Sequence, residues 1–156
     1  MNRSGLGASS PSLSAAKYPT TTDSGVRSVK GKIQDKDLGV TPYAGSVTVN
    51  NVPPTATFSV PASVNEGSAL PLSLVNRLDP SSTDTAAGFK QGFDCGDGAG
   101  FNAWAVASSR SCAAPVDGPA TRTVGGRIRD KDLGANTYNA GMSVKNVAPS
   151  AQYVIA

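Results

Sequence analysis

Two cysteines, eleven carboxylates and no histidine make up the reactive inventory of this 156-residue chain. Without histidine the sequence lacks the commonest general base, the commonest neutral metal ligand and every Ser-His-Asp or Cys-His constellation. Cys95 and Cys112 are too few for a structural zinc site of the four-ligand kind. They can form one disulfide, and closing an interval of that span stabilises a fold by roughly 3 kcal/mol on the chain-entropy model. Two buried free thiols are the plain alternative. A redox or nucleophilic thiol would need an activating neighbour, and neither a CxxC motif nor a histidine is present to supply one.

Eight of the ten aspartates fall into three groups: Asp94 with Asp97, Asp79 with Asp84, and the pairs Asp35/Asp37 and Asp130/Asp132. Calcium wants six to eight oxygens converging on one point, and none of these groups has the spacing of a loop that supplies them alone. Asp79 and Asp84 are the calcium candidates, and no other cofactor is expected. The plainer reading of D-K-D-L-G is a hairpin turn, its Asp accepting backbone hydrogen bonds and Gly39 or Gly134 supplying the left-handed position. Asp94 and Asp97 are likewise expected to cap the tight Gly-Asp-Gly turn. Paired carboxylates also run glycoside hydrolysis, but here they sit in ordinary turn chemistry, and the chain is not expected to be an enzyme. Phe101 and Trp104, in FNAWAV, would line a sugar- or peptide-binding face if exposed and would pack against a sheet if buried.

The elements that must position these residues are strands. Seventeen Gly, 11 Pro and only 16% charged residues suit short strands joined by turns better than amphipathic helices. The net charge of +3 comes from scattered Lys and Arg with no basic stripe, which argues against nucleic-acid binding. Met1 to Ser14 is polar and rich in Gly and Ser, with no apolar run of the length of a signal peptide or a membrane span. No membrane insertion is expected, and the chain reads as cut from a longer one.

An internal repeat sets the organisation. GKIQDKDLG from Gly31 matches GRIRDKDLG from Gly126 at a shift of 95 residues, and the same shift carries NVPP at Asn51 onto NVAP at Asn146 without a gap. A period near 95 is too long for a solenoid unit of about 20 to 50 residues and suits one immunoglobulin-like sandwich. The expected layout is the back half of one repeat in 1–52, one complete repeat in 53–147 and the start of a third in 148–156. Residues 1–24, lacking the strands of their own repeat, are expected to be poorly ordered. Within the complete repeat the pattern predicts strands at 55–60, 70–75, 88–95, 101–106, 121–129 and 137–147, the count and spacing of a β-sandwich.

FDCGDG (Phe93 to Gly98) resembles the WDFGDG signature of polycystic-kidney-disease (PKD) repeats, and IRDKDLG (Ile128 to Gly134) resembles their V-x-D-x-D-G-G ending. NEGS at Asn65 and DPSSTDTAAGF at Asp79 are similar to segments of the bacterial versions. The resemblance implies an all-β, immunoglobulin-like β-sandwich, one complete repeat with partial repeats on either side, of a kind found mostly outside the cell in surface proteins and in non-catalytic parts of secreted hydrolases. It also implies that calcium near strand-edge loops occurs in some members. Two positions depart from the family pattern: Arg122 stands where a tyrosine is usual and Gly126 where a leucine is usual, and Arg27 and Gly31 repeat both changes. A glycine on an inward face weakens a strand unless something bulky fills the space. The expected filler is a cystine at Cys95, on the same face as Phe93.

Two functional readings follow. One is an extracellular or cell-surface structural spacer or adhesive element, whose partners are the neighbouring repeats of the same polypeptide. The other is a calcium-dependent module that binds extracellular polysaccharide or matrix protein on behalf of a secreted hydrolase.

Overall fold

The computed structural model of the chain describes residues 23–115 and 117–152. The expectation of poor order for 1–24 therefore lies, through residue 22, outside the described residues. Strands β1 (Gly25–Gln34) and β2 (Val40–Val49) form an antiparallel hairpin of their own. Seven further strands make two facing sheets. The first holds β3 (Thr55–Ser59), β5 (Leu70–Leu78) and β7 (Ser109–Cys112) in the order β3-β5-β7. The second holds β4 (Ser63–Asn65), β6 (Lys90–Asp94), β8 (Ala120–Arg129) and β9 (Ala135–Lys145) in the order β4-β9-β8-β6. All ladders are antiparallel except β4 with β9, so the first edge of the sandwich crosses from one sheet to the other. The fold is all-β, an immunoglobulin-like β-sandwich.

Period-two alternation explains why these segments are strands. Leu70, Leu72 and Leu74 point inward from β5 and are almost wholly buried, facing Val124 and Ile128 of β8 and Met142 and Val144 of β9. Burying side chains of this size is worth about 1.5–3 kcal/mol each, which is what holds the sheets together. A disulfide adds a covalent staple between them. Cys95 follows β6 in one sheet, Cys112 ends β7 in the other, and the two are bonded with Cα atoms 5.7 Å apart. Both cysteines belong to the buried core.

Three local expectations need correction. Gly126 is not covered by the cystine: a Cβ there would lie 2.7 Å from Phe58 and 3.3 Å from Leu74, so the ring of Phe58 on β3 occupies the place of the missing side chain. In the D-K-D-L-G turns the left-handed residues are Leu38 and Leu133, each with φ 70°, and not the glycines. Gly39 and Gly134 are required by crowding instead, since a Cβ would come within 2.8 Å of Asp35 Oδ2 in one turn and 2.6 Å of Asp130 Oδ2 in the other. Residues 101–106 are not a strand. Only Ala105 bridges Gln91, exchanging both backbone hydrogen bonds, and the edge strand of that stretch is β7, further along.

A six-residue helix, α1 (Ser82–Ala87), and the short β4 lie between the strands that the pattern predicts. The helix starts because the Ser81 side chain accepts a hydrogen bond from the Asp84 N–H at 3.2 Å, an N-cap. Gly88, at φ 79°, ends it with its N–H on the carbonyls of Asp84 and Thr85.

The hairpin and the last two strands of the sandwich share one register. Gly25 pairs with Val49 and Gln34 with Val40, and 95 residues later Ala120 pairs with Val144 and Arg129 with Ala135. Their surroundings differ. Ile128 is fully buried, whereas its counterpart Ile33 is 65% exposed.

Candidate functional site

Asp79 and Asp84, 51 and 46 residues before Asp130 in sequence, are brought in space against the chain's second D-K-D-L-G turn. Asp79 follows β5 and is held by the Ser81 N–H, which donates to its Oδ1 at 2.7 Å. The N-cap of α1 turns Asp84 inward, where it is completely buried. Asp130 directly follows β8 and is also buried, its Oδ1 accepting from the Gly134 N–H at 2.8 Å and its Oδ2 from Asn51 Nδ2 at 2.9 Å. Carboxylate oxygens of Asp79, Asp84 and Asp130 all lie within 4.8 Å of one another. One oxygen of Asp79 and both of Asp84 have no hydrogen-bond partner among the described residues.

Asp84 also belongs to a second group, with Asp23 and Asp132, that surrounds the ammonium of Lys131. Lys131 Nζ lies 2.5 Å from Asp23 Oδ1, 2.8 Å from Asp132 Oδ2 and 3.2 Å from Asp84 Oδ1. The last is an ion-pair distance without hydrogen-bond geometry, which is why Asp84 remains unsatisfied as an acceptor. Ser24 Oγ donates to Asp132 at 2.8 Å. Asp23 and Ser24 lie at the base of the β1–β2 hairpin, and Asn51 in the link to β3. The acidic end of the sandwich is therefore also where the preceding segment is attached. A cleft of about 170 Å³ opens there, lined by Ser24, Val49, Asn51, Asp79 and Asp84.

Electrostatics follow from burial and count. Burial pushes the Asp79 carboxyl above the ordinary carboxylate range, opposed by the Ser81 N–H and reinforced by the charges of Asp84, Asp130 and Asp132. Lys131 is held well above the usual lysine value, chiefly by Asp132 and then by Asp23. Asp132 is held below the usual range by Lys131 and by the Ser24 hydroxyl. Three carboxylates stand around this ammonium, and Asp84 links them to Asp79 and Asp130, so among the described residues the two groups together carry more negative than positive charge. The donor set, all oxygen and carboxylate-rich, is of the kind a hard cation such as calcium takes.

The other expected sites resolve differently. Asp94 Oδ1 accepts from the Gly96 N–H at 2.9 Å and Asp97 Oδ1 from the Ala99 N–H at 3.0 Å, so both serve the Gly-Asp-Gly turn. Trp104 and Phe101 are half-buried and engaged by arginines. The Arg127 guanidinium lies 4.1 Å from the Trp104 ring centre and 4.8 Å from that of Phe101, and Arg129 lies 4.6 Å from Trp104. Sequence reasoning paired Asp79 with Asp84 but did not join Asp130, Asp23, Asp132 and Asn51 to them. The D-P-S-S-T-D spacing around the Ser81 cap was the legible signal. The rest depends on how the chain folds back at the junction.

No protein-family model matches the chain, and no curated protein matches it. Among solved structures it is similar to the PKD domain of an M14-like peptidase from Thermoplasmatales archaeon SCGC AB-540-F20, at 16% identity and a TM-score of 0.46. The match covers 62% of this chain and 99% of that domain.

Proposed function

We propose that this chain is part of a non-catalytic extracellular repeat protein of PKD-like type, in which β-sandwich beads joined in series form a structural spacer or adhesive element. The observation that carries the reading is the hairpin β1–β2, which reproduces the register of β8–β9 residue for residue at the sequence repeat of 95. The prolines at 53 and 54 restrict the link that follows it. A disulfide buried between the sheets suits an oxidising compartment, where such bonds persist.

A load-bearing bead makes a mechanical prediction. Pulled from its ends, the unit 53–147 should give way in one cooperative step that releases roughly 280 Å of chain, at about 3.6 Å per residue with the stretch between the cysteines locked out. Reductant should lengthen that step by roughly 60 Å. A sandwich that yields gradually, with no force peak, would overturn the spacer reading.

Asp84 favours a second reading. It is fully buried with neither oxygen hydrogen-bonded, and the ammonium that faces it, Lys131 at 3.2 Å, is shared with Asp23 and Asp132, so the buried charge is compensated only in part. Asp79, Asp84 and Asp130 would hold calcium, which would supply that charge and, through Asn51 on Asp130, stiffen the junction. Surface binding of polysaccharide or matrix protein would then be calcium-dependent. A ligand at 100 times its Kd raises stability by about 2.7 kcal/mol. Melting in calcium against chelator should show a rise that Asp84→Asn abolishes, and identical melting curves would sink this reading.

A further inference from the structure

The outer face of the second sheet carries cations that no carboxylate meets. Strand alternation puts Lys90 of β6 and Arg127 and Arg129 of β8 on that face, opposite the buried Gln91, Phe93 and Ile128. Lys90 lies directly across from Arg129, and Arg127 stands roughly 7 Å further along β8. Among the described residues only Lys36 and Lys131 make ion pairs. Asp94, on the same face of β6, has its Oδ1 on the Gly96 N–H of its own turn.

The two arginines are held in place by what lies under and beside them. Trp104 meets both guanidinium groups, Arg127 at 4.1 Å and Arg129 at 4.6 Å from the ring centre. Gly92, across from Arg127, leaves room for it, since a Cβ there would lie 2.6 Å from Arg127 Nε. Arg127 also donates to the Asn102 carbonyl at 2.7 Å. Stacking engages the flat face of a guanidinium and leaves its in-plane N–H groups to donate. Beyond the ring contact Arg129 has no partner among the described residues, so its whole fork of donors is open. A cavity of about 280 Å³ lies beside it, with Phe89 and Lys90 on its wall. The other charged residues there are engaged, Lys131 by its aspartates and Asp130 by Gly134 and Asn51.

We propose that Lys90, Arg127 and Arg129 form a binding face for an anionic polysaccharide, whose carboxylate or sulfate groups are taken by the guanidinium forks and the ammonium. Trp104 acts as a positioning residue, the post on which both arginines rest, and not as a platform for a sugar ring. Next to the cations β9 presents Thr137, opposite Arg127, and then Asn139, both exposed. A face of spaced cations and neutral hydrogen-bonding groups matches a hydroxyl-rich polymer with regularly spaced charges. An extended peptide binds best along an open strand edge, and beside β6 that edge is taken by Ala105 on Gln91. The inference gives a surface and a ligand class to the adhesive element proposed above and rests on that reading. It does not rest on calcium, because none of the three cations belongs to the acidic cluster.

Isothermal titration calorimetry of the full chain, in chelator and at about 0.15 M salt to screen long-range attraction, tests it. The probes are an oligogalacturonate, dextran sulfate, neutral dextran and poly-glutamate. Binding is expected to one or both of the first two, which tells carboxylate from sulfate recognition, and not to neutral dextran. Arg129→Gln should weaken it about tenfold or more. Lys32→Gln, on the hairpin, removes the same charge from the whole chain and should leave binding within about twofold. Trp104→Ala should weaken it about threefold or more although it removes no charge, and Trp104→Phe, which keeps a ring, should restore most of the loss. Should Trp104→Ala disturb folding, Arg129→Gln against Lys32→Gln still decides. No binding to either anionic polysaccharide overturns the proposal, as does equal loss in Arg129→Gln and Lys32→Gln, and poly-glutamate bound as tightly overturns the choice of ligand. Each of these failures leaves the spacer reading, with its own mechanical test, standing.

Discussion

Removing the inter-sheet disulfide by Cys95→Ala/Cys112→Ala should cost the sandwich about 3 kcal/mol. The cysteines are separated by 17 residues, and for a loop of that size the chain-entropy relation gives an entropy restriction near 10.5 cal/mol/K, about 3 kcal/mol at 25 °C. For a domain of roughly 90 residues, 1 kcal/mol moves the melting temperature by about 4–8 °C, so the variant should melt about 12–24 °C lower. The loss of two buried sulfurs from the core acts in the same direction, so this is a floor. The assay is thermal unfolding followed by circular dichroism, with the unsubstituted chain in oxidised and fully reduced form as references. The reduced chain should approach the double variant, because both lack the cross-link while only one lacks the sulfurs. A fall of less than about 5 °C would refute the reasoning, since it would mean that the unfolded chain gains little freedom when the loop opens.

Two further outcomes follow from named contacts. Gly126→Leu should destabilise by about 1–3 kcal/mol or prevent folding, because its Cβ would lie 2.7 Å from Phe58, while Gly31→Leu at the repeated position should fall within about 0.5 kcal/mol of the parent in chemical denaturation. Equal effects at the two glycines would contradict the assigned packing. Asp79→Asn, measured in chelator, should raise the melting temperature at neutral pH and lose that gain in acid. Because burial raises the carboxyl of Asp79 in the folded state, the fold binds a proton more tightly there than the unfolded chain. Its ionisation therefore subtracts stability as pH rises from the unfolded value, near 3.8, through the raised folded one. Destabilisation by Asp79→Asn at neutral pH would reverse the sign and count against the buried charge as the cause.

The strands were legible where alternation was clean. Leu-Pro-Leu-Ser-Leu at β5 and Val-Gly-Gly-Arg-Ile in β8 carry a period of two that only a half-buried sheet explains. FNAWAV carries a similar pattern but is no strand. Its residues are tied by side chains: Asn102 Oδ1 accepts from the Phe93 N–H at 2.5 Å, and Arg127 donates to the Asn102 carbonyl at 2.7 Å while lying over both aromatic rings. Backbone bonds to β6 are made at Asn102 and Ala105 without a continuous ladder, and Arg127 on β8 completes the attachment, a tertiary contact that no local pattern announces. Gly126 shows the same limit in the core. The vacancy was visible in sequence, but its occupant, Phe58, lies 68 positions upstream and is chosen by how the two sheets face each other. At the acidic end, the hairpin turns and their Asp caps were readable one at a time. Their convergence with Asp79 and Asp84 was not, because it needs the return of the chain at Asn51.

The two D-K-D-L-G turns show what a neighbour adds to an identical sequence. In the first, Lys36 pairs among the described residues with Asp37 alone, at 2.7 Å, with both side chains largely exposed, an interaction of little energetic consequence. In the second, Lys131 reaches Asp23 and Asp84 as well as Asp132, and Asp130 receives Asn51. Both turns share one internal hydrogen bond, from the Gly39 N–H to Asp35 and from the Gly134 N–H to Asp130, each at 2.8 Å. The motif therefore folds on its own, and its charges find their full set of partners only where a preceding hairpin is seated. A single sequence motif, repeated at a shift of 95, thus supplies the turn that reverses the chain in each hairpin and, at Asp130 and Lys131, the charged seat to which Asn51 and Asp23 of the preceding segment are tied.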